Sequence, residues 1–593
     1  MEGTVVLFGT IVYPLLAAVT AYGARKRSWR TQHILALVLS GTVFLSSVLP
    51  LLLLGNRTAE FRWSGFSEGI FLEYSLLRGV LLTFAGGIVW FAAFLATRWH
   101  RAGEHPGRYY AFLLLSGGGC AGCILSGDLT TLILSLVFAS AGTLGMVLQN
   151  ETERTKEAGI SYFAMLTLSF ALLLLGAFLL EHAAGTLEWG ELDRLRRQSG
   201  LSPMAVCAGI LLLIGFAARI AVFPLHTWMA KTCAAVSSPT GMILSGLMPV
   251  CGLYGMMSLT KALFPLDPYW GLALMVFGSL TAFLGSALAV FSIRFPRTLA
   301  LAALIQSGIG FMLIGFGCLI PNSETAHTLV VFQMLMQLVS QAVLFWVYDH
   351  LRQRTDGDTL NELKGRGRKS ALCHLAFVIP FFAAAVLLGF SIVCRRVISQ
   401  ELLDTYNVML TAQNAHQLLL LVQILAGGSA LLGMCWLCRN YDALCRRRHR
   451  DEKVYINRLP AWLDLERHVL APIFVHMLPF VLAFAARVLD QMVDFVVYLL
   501  NKTLLAPSRP RKRVQIGTRL TYVLGTACDD FVAFLNKTIC RRRPIQVSFV
   551  AIFTLGRLEA ERTNQLIVQS VSFGLLLFCA GLLITLVYLF LRS

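Results

Sequence analysis

Few side chains in this sequence could do chemistry, and those few sit in apolar surroundings. Arg219 stands sixteen residues into an apolar run over 203–230, followed by Pro224, His226 and Lys231. Proline inside a helix removes a backbone hydrogen bond and frees carbonyls. A broken helix beside a charge is one way to build an ion path. The structural alternative is that Arg219 bonds a carbonyl while Lys231 reaches out to the membrane surface. Gln333, Gln337 and Gln341 recur every four residues, which puts three amides on one helix face. An amide can orient water or join helices, but it cannot take up and release a proton near neutral pH. Arg395 and Arg396 follow an interruption at Gly389-Phe390-Ser391; they either face an aqueous cavity or mark the end of a span. Asp128 opens the fifth apolar run, directly after Gly127. Cys120/Cys123 and Cys435/Cys438 have CxxC spacing inside or at the end of apolar runs, which reads as buried thiols. Nothing resembles a phosphate-binding loop, a dinucleotide fingerprint, a metal cluster or a nucleophile triad. No catalytic residue, cofactor or metal is therefore expected in the chain.

These residues must be positioned by membrane helices. Of 593 residues, 56% are hydrophobic and only 14% charged, with mean hydropathy +0.69. A soluble domain carries about a quarter of its residues as charges, so a soluble enzyme, a disordered chain and a nucleic-acid reader are excluded. Runs long enough to cross a bilayer fall at 3–23, 32–54, 71–97, 110–126, 128–149, 160–181, 203–230, 240–263, 269–293, 298–319, 326–348, 371–394, 416–438 and 570–591. An all-α polytopic membrane protein of about fourteen transmembrane helices is expected. The first run lacks a basic leader and an A-x-A site, and reads as a retained helix.

The net charge of +18 is concentrated in short blocks such as Arg25-Lys26-Arg27 and Arg446-Arg447-Arg448. The basic loops 25–30, 98–108, 154–156, 294–297, 352–369 and 439–458 share one side, with exceptions at 194–197 and Arg395-Arg396. That asymmetry puts the basic loops in the cytoplasm, against anionic lipid headgroups, and the N-terminus outside. No nucleic-acid partner is expected. Within 467–569 polar and apolar residues segregate to opposite faces, as in Arg487, Asp490, Asp494 and Tyr498 against Phe484, Val488, Phe495 and Leu499. This reads as amphipathic helices on the cytoplasmic surface; the rival reading makes 468–490 a further span. The expected organisation is helices one to three over 1–100, a unit over 110–263, a second over 269–438, the basic amphipathic region 439–569 and a last helix over 570–593.

The run Arg219-Ile-Ala-Val-Phe-Pro-Leu-His-Thr-Trp228, then Ser238-Pro239-Thr240, Leu244-Ser-Gly-Leu-Met248 and Gly252-Leu-Tyr254, resembles a known signature. So does Gly127-Asp-Leu-Thr-Thr-Leu132. They look like the antiporter-like subunits of respiratory complex I (NADH-quinone oxidoreductase), of Mrp-type cation/proton antiporters and of hydrogenase-4-type energy-converting hydrogenases. The resemblance implies two inverted five-helix repeats, with discontinuous helices near 203–230 and 371–405. It implies a bacterial inner membrane, partner subunits of an oxidoreductase or antiporter complex, and H+ or Na+ as the transported ion.

The departures from that family pattern carry a physical consequence. Where the family has a glutamate in the fifth span, this sequence has Val137; Arg219 stands for a lysine, and Val250 for another. Gln333, Gln337 and Gln341 replace a His/His/Lys series, and Val393 stands at the twelfth-span ionisable position. Arginine keeps its charge with a pKa above about 12, so it cannot serve as a relay that empties and refills. A lone cation at mid-membrane costs about 2.5–3.5 kcal/mol, which calls for a counter-ion or a hydrated cavity. The leading expectation is a degenerate antiporter-like subunit with lost or altered pumping. The alternatives are a subunit that still translocates protons or sodium through glutamine-ordered water, and a stand-alone transporter or membrane anchor.

Overall fold

A computed structural model describes residues 2–445, apart from 64–68, 100–105, 150–151, 320–322, 354–356, 369, 372, 375–376 and 378–411. All of these described residues lie in one compact unit. Among the described residues, twelve helices are long and apolar enough to span a membrane. Each matches one of the twelve expected spans that fall on described residues. The expected spans 371–394 and 570–591, the break near 371–405 and the amphipathic region beyond residue 445 lie outside the described residues.

The spans run through α1 Glu2–Gly23, α2 Trp29–Leu54, α3 Leu76–Trp99, α4 Gly107–Leu125, α5 Leu129–Leu148 and α6 Glu153–Ala184. A short surface helix, α7 Trp189–Ser199, leads into α8 Pro203–Ile220 and α9 Thr227–Cys233. Next come α10 Ser238–Met242, a π-helical turn over Ile243–Leu247 and α11 Met248–Leu263, which make one continuous span. The remaining helices are α12 Pro268–Phe291, α13 Phe295–Gly317, α14 Ser323–Arg352, the single turn α15 Leu360–Leu363 and α16 Ala412–Cys445. Side-chain burial ranks them. The α10–α11 span and α13 are almost wholly enclosed by protein, whereas α1 and α2 are mostly exposed and apolar, as lipid-facing helices are. Small residues set the closest approaches: at Gly278 on α12 and Gly308 on α13 an added Cβ would lie 2.7 Å from the backbone carbonyl of the other glycine.

One element departs from the all-α expectation. Residues 71–75 read as the start of the third span, but Ile70–Tyr74 is a strand paired antiparallel with Ala59–Trp63. Its chain neighbours explain it. Phe71 O accepts from Gly127 N at 2.9 Å, and Phe71 N donates to Thr131 Oγ1 at 3.1 Å. The hairpin thereby satisfies backbone groups of the α4–α5 turn, which would otherwise be buried unpaired.

Candidate functional site

The expected discontinuity within 203–230 is present. α8 ends at Ile220, Ala221 takes a left-handed conformation at φ 64°, and the chain passes through Phe223-Pro224 before α9 begins. Pro224 supplies no N–H, and freed backbone groups find other partners. Trp228 Nε1 donates to Ala218 O at 3.1 Å, and Phe223 N donates to Thr281 Oγ1 on α12 at 3.0 Å. Tyr162 stacks on Trp228 with ring centroids 5.0 Å apart, holding α9 against α6.

Arg219 lies in the last turn of α8 and is 3% exposed. Gly252 on α11 makes the room: an added Cβ there would sit 3.6 Å from Arg219 Cβ and 2.7 Å from Ile220. The guanidinium crosses to α5, where Nη2 donates to Leu136 O at 3.0 Å and to Ser140 Oγ in a close contact. It also lies over the Phe170 ring, 5.0 Å from its centroid. Among the described residues it has no carboxylate within ion-pair distance, and its Nε and Nη1 have no hydrogen-bond partner. The adjoining cavity, lined by Tyr162, Ser169, Trp228 and Met248, holds about 10 Å³. That is at most one water. Neither a described counter-ion nor a wide hydrated chamber balances the charge. Two hydrogen bonds from a charged donor, each about 1.5–3 kcal/mol, are of the size needed to offset the insertion cost.

The other singled-out residues separate into two groups. Gln333, Gln337 and Gln341 do form a buried column on α14. Gln333 Nε2 donates to Gln306 O at 3.2 Å. Gln337 Nε2 donates to Ser307 Oγ at 2.9 Å and Ser245 O at 3.4 Å, and Ser245 Oγ donates to Gln341 Oε1 at 3.2 Å. The π-helical turn presents Ser245 to this column. Asp128, by contrast, caps α5 by accepting from Thr131 N at 3.1 Å. Lys231 lies exposed on α9. His226 is buried beside Phe223, its Nδ1 without a partner among the described residues. Val250 is fully buried on α11 and Val137 half-buried on α5. Gly389, Val393, Arg395 and Arg396 lie outside the described residues.

Three polar residues escaped the sequence reading. Ser140 gave no periodic signal. Gln306 on α13 extends the column, donating to Ser340 Oγ at 2.9 Å. Asp349 continues the four-residue spacing of the glutamines and is 1% exposed, its carboxylate accepting from Gln353 Nε2 at 2.9 Å. The intervening position on that face is Phe345, also buried, whose ring lies 2.4 Å from where a Cβ on Gly241 would stand. Among the described residues no group of three or more His, Cys, Asp or Glu is placed to hold a metal.

The described spans and the break after Arg219 make this region a polytopic membrane-type helical bundle with a discontinuous helix. Residues 126–395 match the family described as NADH:quinone oxidoreductase/Mrp antiporter, TM. The chain is 26% identical over 271 residues to NADH-quinone oxidoreductase subunit N of Deinococcus radiodurans, covering 45% of this chain and 54% of that protein. It is 28% identical over 244 residues to formate hydrogenlyase subunit 3 of Escherichia coli K12, covering 40% and 39% respectively. The matched segments thus span about half or less of these curated relatives. The fold is similar to that of a chain in the Mrp complex from Dietzia sp. DQ12-45-1b, with TM-score 0.64, 19% identity, and coverage of 78% of this chain and 84% of that one. The resemblance seen at Arg219–Trp228 is borne out: that segment lies within the part of the chain that matches the complex I and Mrp antiporter family.

Proposed function

We propose that this chain is a subunit of a bacterial oxidoreductase- or antiporter-type membrane complex, and that its own proton relay is lost or altered. It sits in the cytoplasmic membrane with its N-terminus outside and its basic loops against anionic headgroups. Its two five-helix repeats occupy 110–263 and 269–438. The observation that carries the reading is the environment of Arg219: a permanent cation bound to a carbonyl, a hydroxyl and a ring, with no described carboxylate beside it. A relay group must change its charge as its neighbours change theirs. Arginine does not, and the amides of the second repeat do not either.

Purification of the native membrane complex tests the role. Hydrogenase- or quinone-reductase-like subunits, or other antiporter-like chains, are expected to travel with this protein. Recovery of a monodisperse chain free of such partners would reject it.

A second reading has its own support. Gln306 Oε1, Gln337 Oε1 and Gln341 Nε2 are buried without hydrogen-bond partners among the described residues. An unpaired buried amide atom costs about 1–3 kcal/mol, so three of them in one column favour water there. Such water could conduct protons or sodium without storing them. In vesicles, a Gln337→Leu variant would then lower an imposed-gradient flux, and an unchanged flux would dismiss this reading.

A further inference from the structure

The basic cluster over 194–197 breaks the alternation of charged and uncharged loops, and nothing in the reading above uses it. It lies on α7, at the end of the bundle where α11, α13 and α14 also meet, beside a cavity of about 360 Å³. Among the described lining residues Arg196, Arg197 and Lys261 stand with one carboxylate, Asp193. Arg196 and Arg197 both reach Asp193, at 2.7 and 2.8 Å. Three lining cations against one described lining carboxylate, with Asp267 near enough to act on Cys318 of the same wall, leave the cavity mouth net positive. Lys261 is exposed and has no acidic partner within 4.0 Å among the described residues. Arg196 Nε is buried and has no hydrogen-bond partner among the described residues. The opposite wall is apolar apart from His327: Leu313 and Ile314 of α13 and Val330 of α14 line it, and Leu266, 43% exposed, carries it to the outer surface.

Cations at one end and an apolar wall running outward fit one chemistry, an amphiphile with a phosphate head and hydrocarbon tails. From this arrangement we infer that the cavity binds the headgroup of an anionic glycerophospholipid, with its acyl chains along Leu266, Leu313 and Val330. The lipid is a structural ligand wedged between α7 and the α13–α14 pair. It stands on the membrane face opposite the basic loops, so bulk attraction of anionic lipid to those loops does not account for it.

The test uses the full chain, purified and then exchanged into mixed micelles of defined lipid, with retained lipid counted by native mass spectrometry. Wild type is expected to keep one phosphatidylglycerol in preference to phosphatidylcholine by at least about tenfold, since each cation near an anionic headgroup is worth about 1 kcal/mol, or about fivefold. Lys261→Ala should weaken that retention about fivefold, and Arg197→Ala with Lys261→Ala by more than tenfold. Lys156→Ala, on an exposed residue at the other end of the bundle, should leave it unchanged. Should the double variant not fold, the exposed single variant Lys261→Ala still decides. Equal retention of the two lipids, or a Lys261→Ala protein indistinguishable from wild type, would overturn the inference. So would displacement by millimolar inorganic phosphate with no lipid preference, which would make this a site for a free anion.

Discussion

Arg219 is held by groups that cannot share or exchange its charge, and substitutions there should show it. Replacing a buried ion by an apolar side chain of similar volume is often neutral or stabilising. Arg219→Met should therefore leave the thermal midpoint of the purified protein unchanged or raised; a large fall would mean that a counter-ion had been stripped of its partner. Ser140→Ala removes one acceptor from the guanidinium and should cost about 1.5–3 kcal/mol. In the Arg219→Met background the same change should be nearly silent, and the double-mutant cycle measures the difference. Arg219 itself was legible in the sequence because a charge so deep in an apolar run has to be accounted for. Its partner was not. A lone serine on an apolar helix is indistinguishable from the many that bond their own backbone, as Ser140 also does to Leu136 O. Asp349 was hidden for another reason: it obeys the four-residue spacing of the glutamines, but the phenylalanine at 345 interrupts the polar series before it.

The broken helix and the amide column are where local chemistry becomes architecture. Proline at 224 announced the break, and the freed carbonyl of Ala218 is taken up by Trp228. The glutamines bind α14 to α13 and to the π-helical turn. Gln337→Ala removes two of those contacts and should cost about 0.6–2 kcal/mol, the range for polar contacts between membrane helices. Unfolding in detergent against wild type would measure it. The surface helix α7 carries a pH dependence of its own. Burial works to raise the Asp193 carboxyl, but hydrogen bonds and charge from Arg196 and Arg197 outweigh it and hold the carboxyl below its ordinary value. A depressed acid stabilises the folded state above its unfolded pKa of about 3.9 and loses that contribution as pH falls through the lower folded value. Amide exchange in α7 should therefore accelerate, after correction for intrinsic rates, between pH 5 and pH 3, and Asp193→Asn should abolish the change. An unaltered response in that variant would assign the acid sensitivity elsewhere. The hairpin before α3 escaped the sequence reading because Ile70–Tyr74 merges with the hydropathy of the helix that follows; only its pairing with Thr131 and Gly127 sets it apart.

Across the whole molecule, hydropathy alone located the membrane helices of the described region, because a bilayer leaves the backbone no choice but helix at each apolar run. Residues 126–395 match the complex I and Mrp antiporter family, and the fold is similar to that of an Mrp-complex chain. At the positions where the resemblance implies relay groups, this sequence has Val137, Val250 and the three glutamines. The decisive measurement is ion flux in proteoliposomes containing the full chain and an enclosed pH-sensitive dye, under imposed proton and sodium gradients. The account predicts that wild type and Arg219→Ala vesicles leak at the same rate as protein-free ones. A wild-type flux well above that leak, reduced tenfold or more by Arg219→Ala, would contradict it.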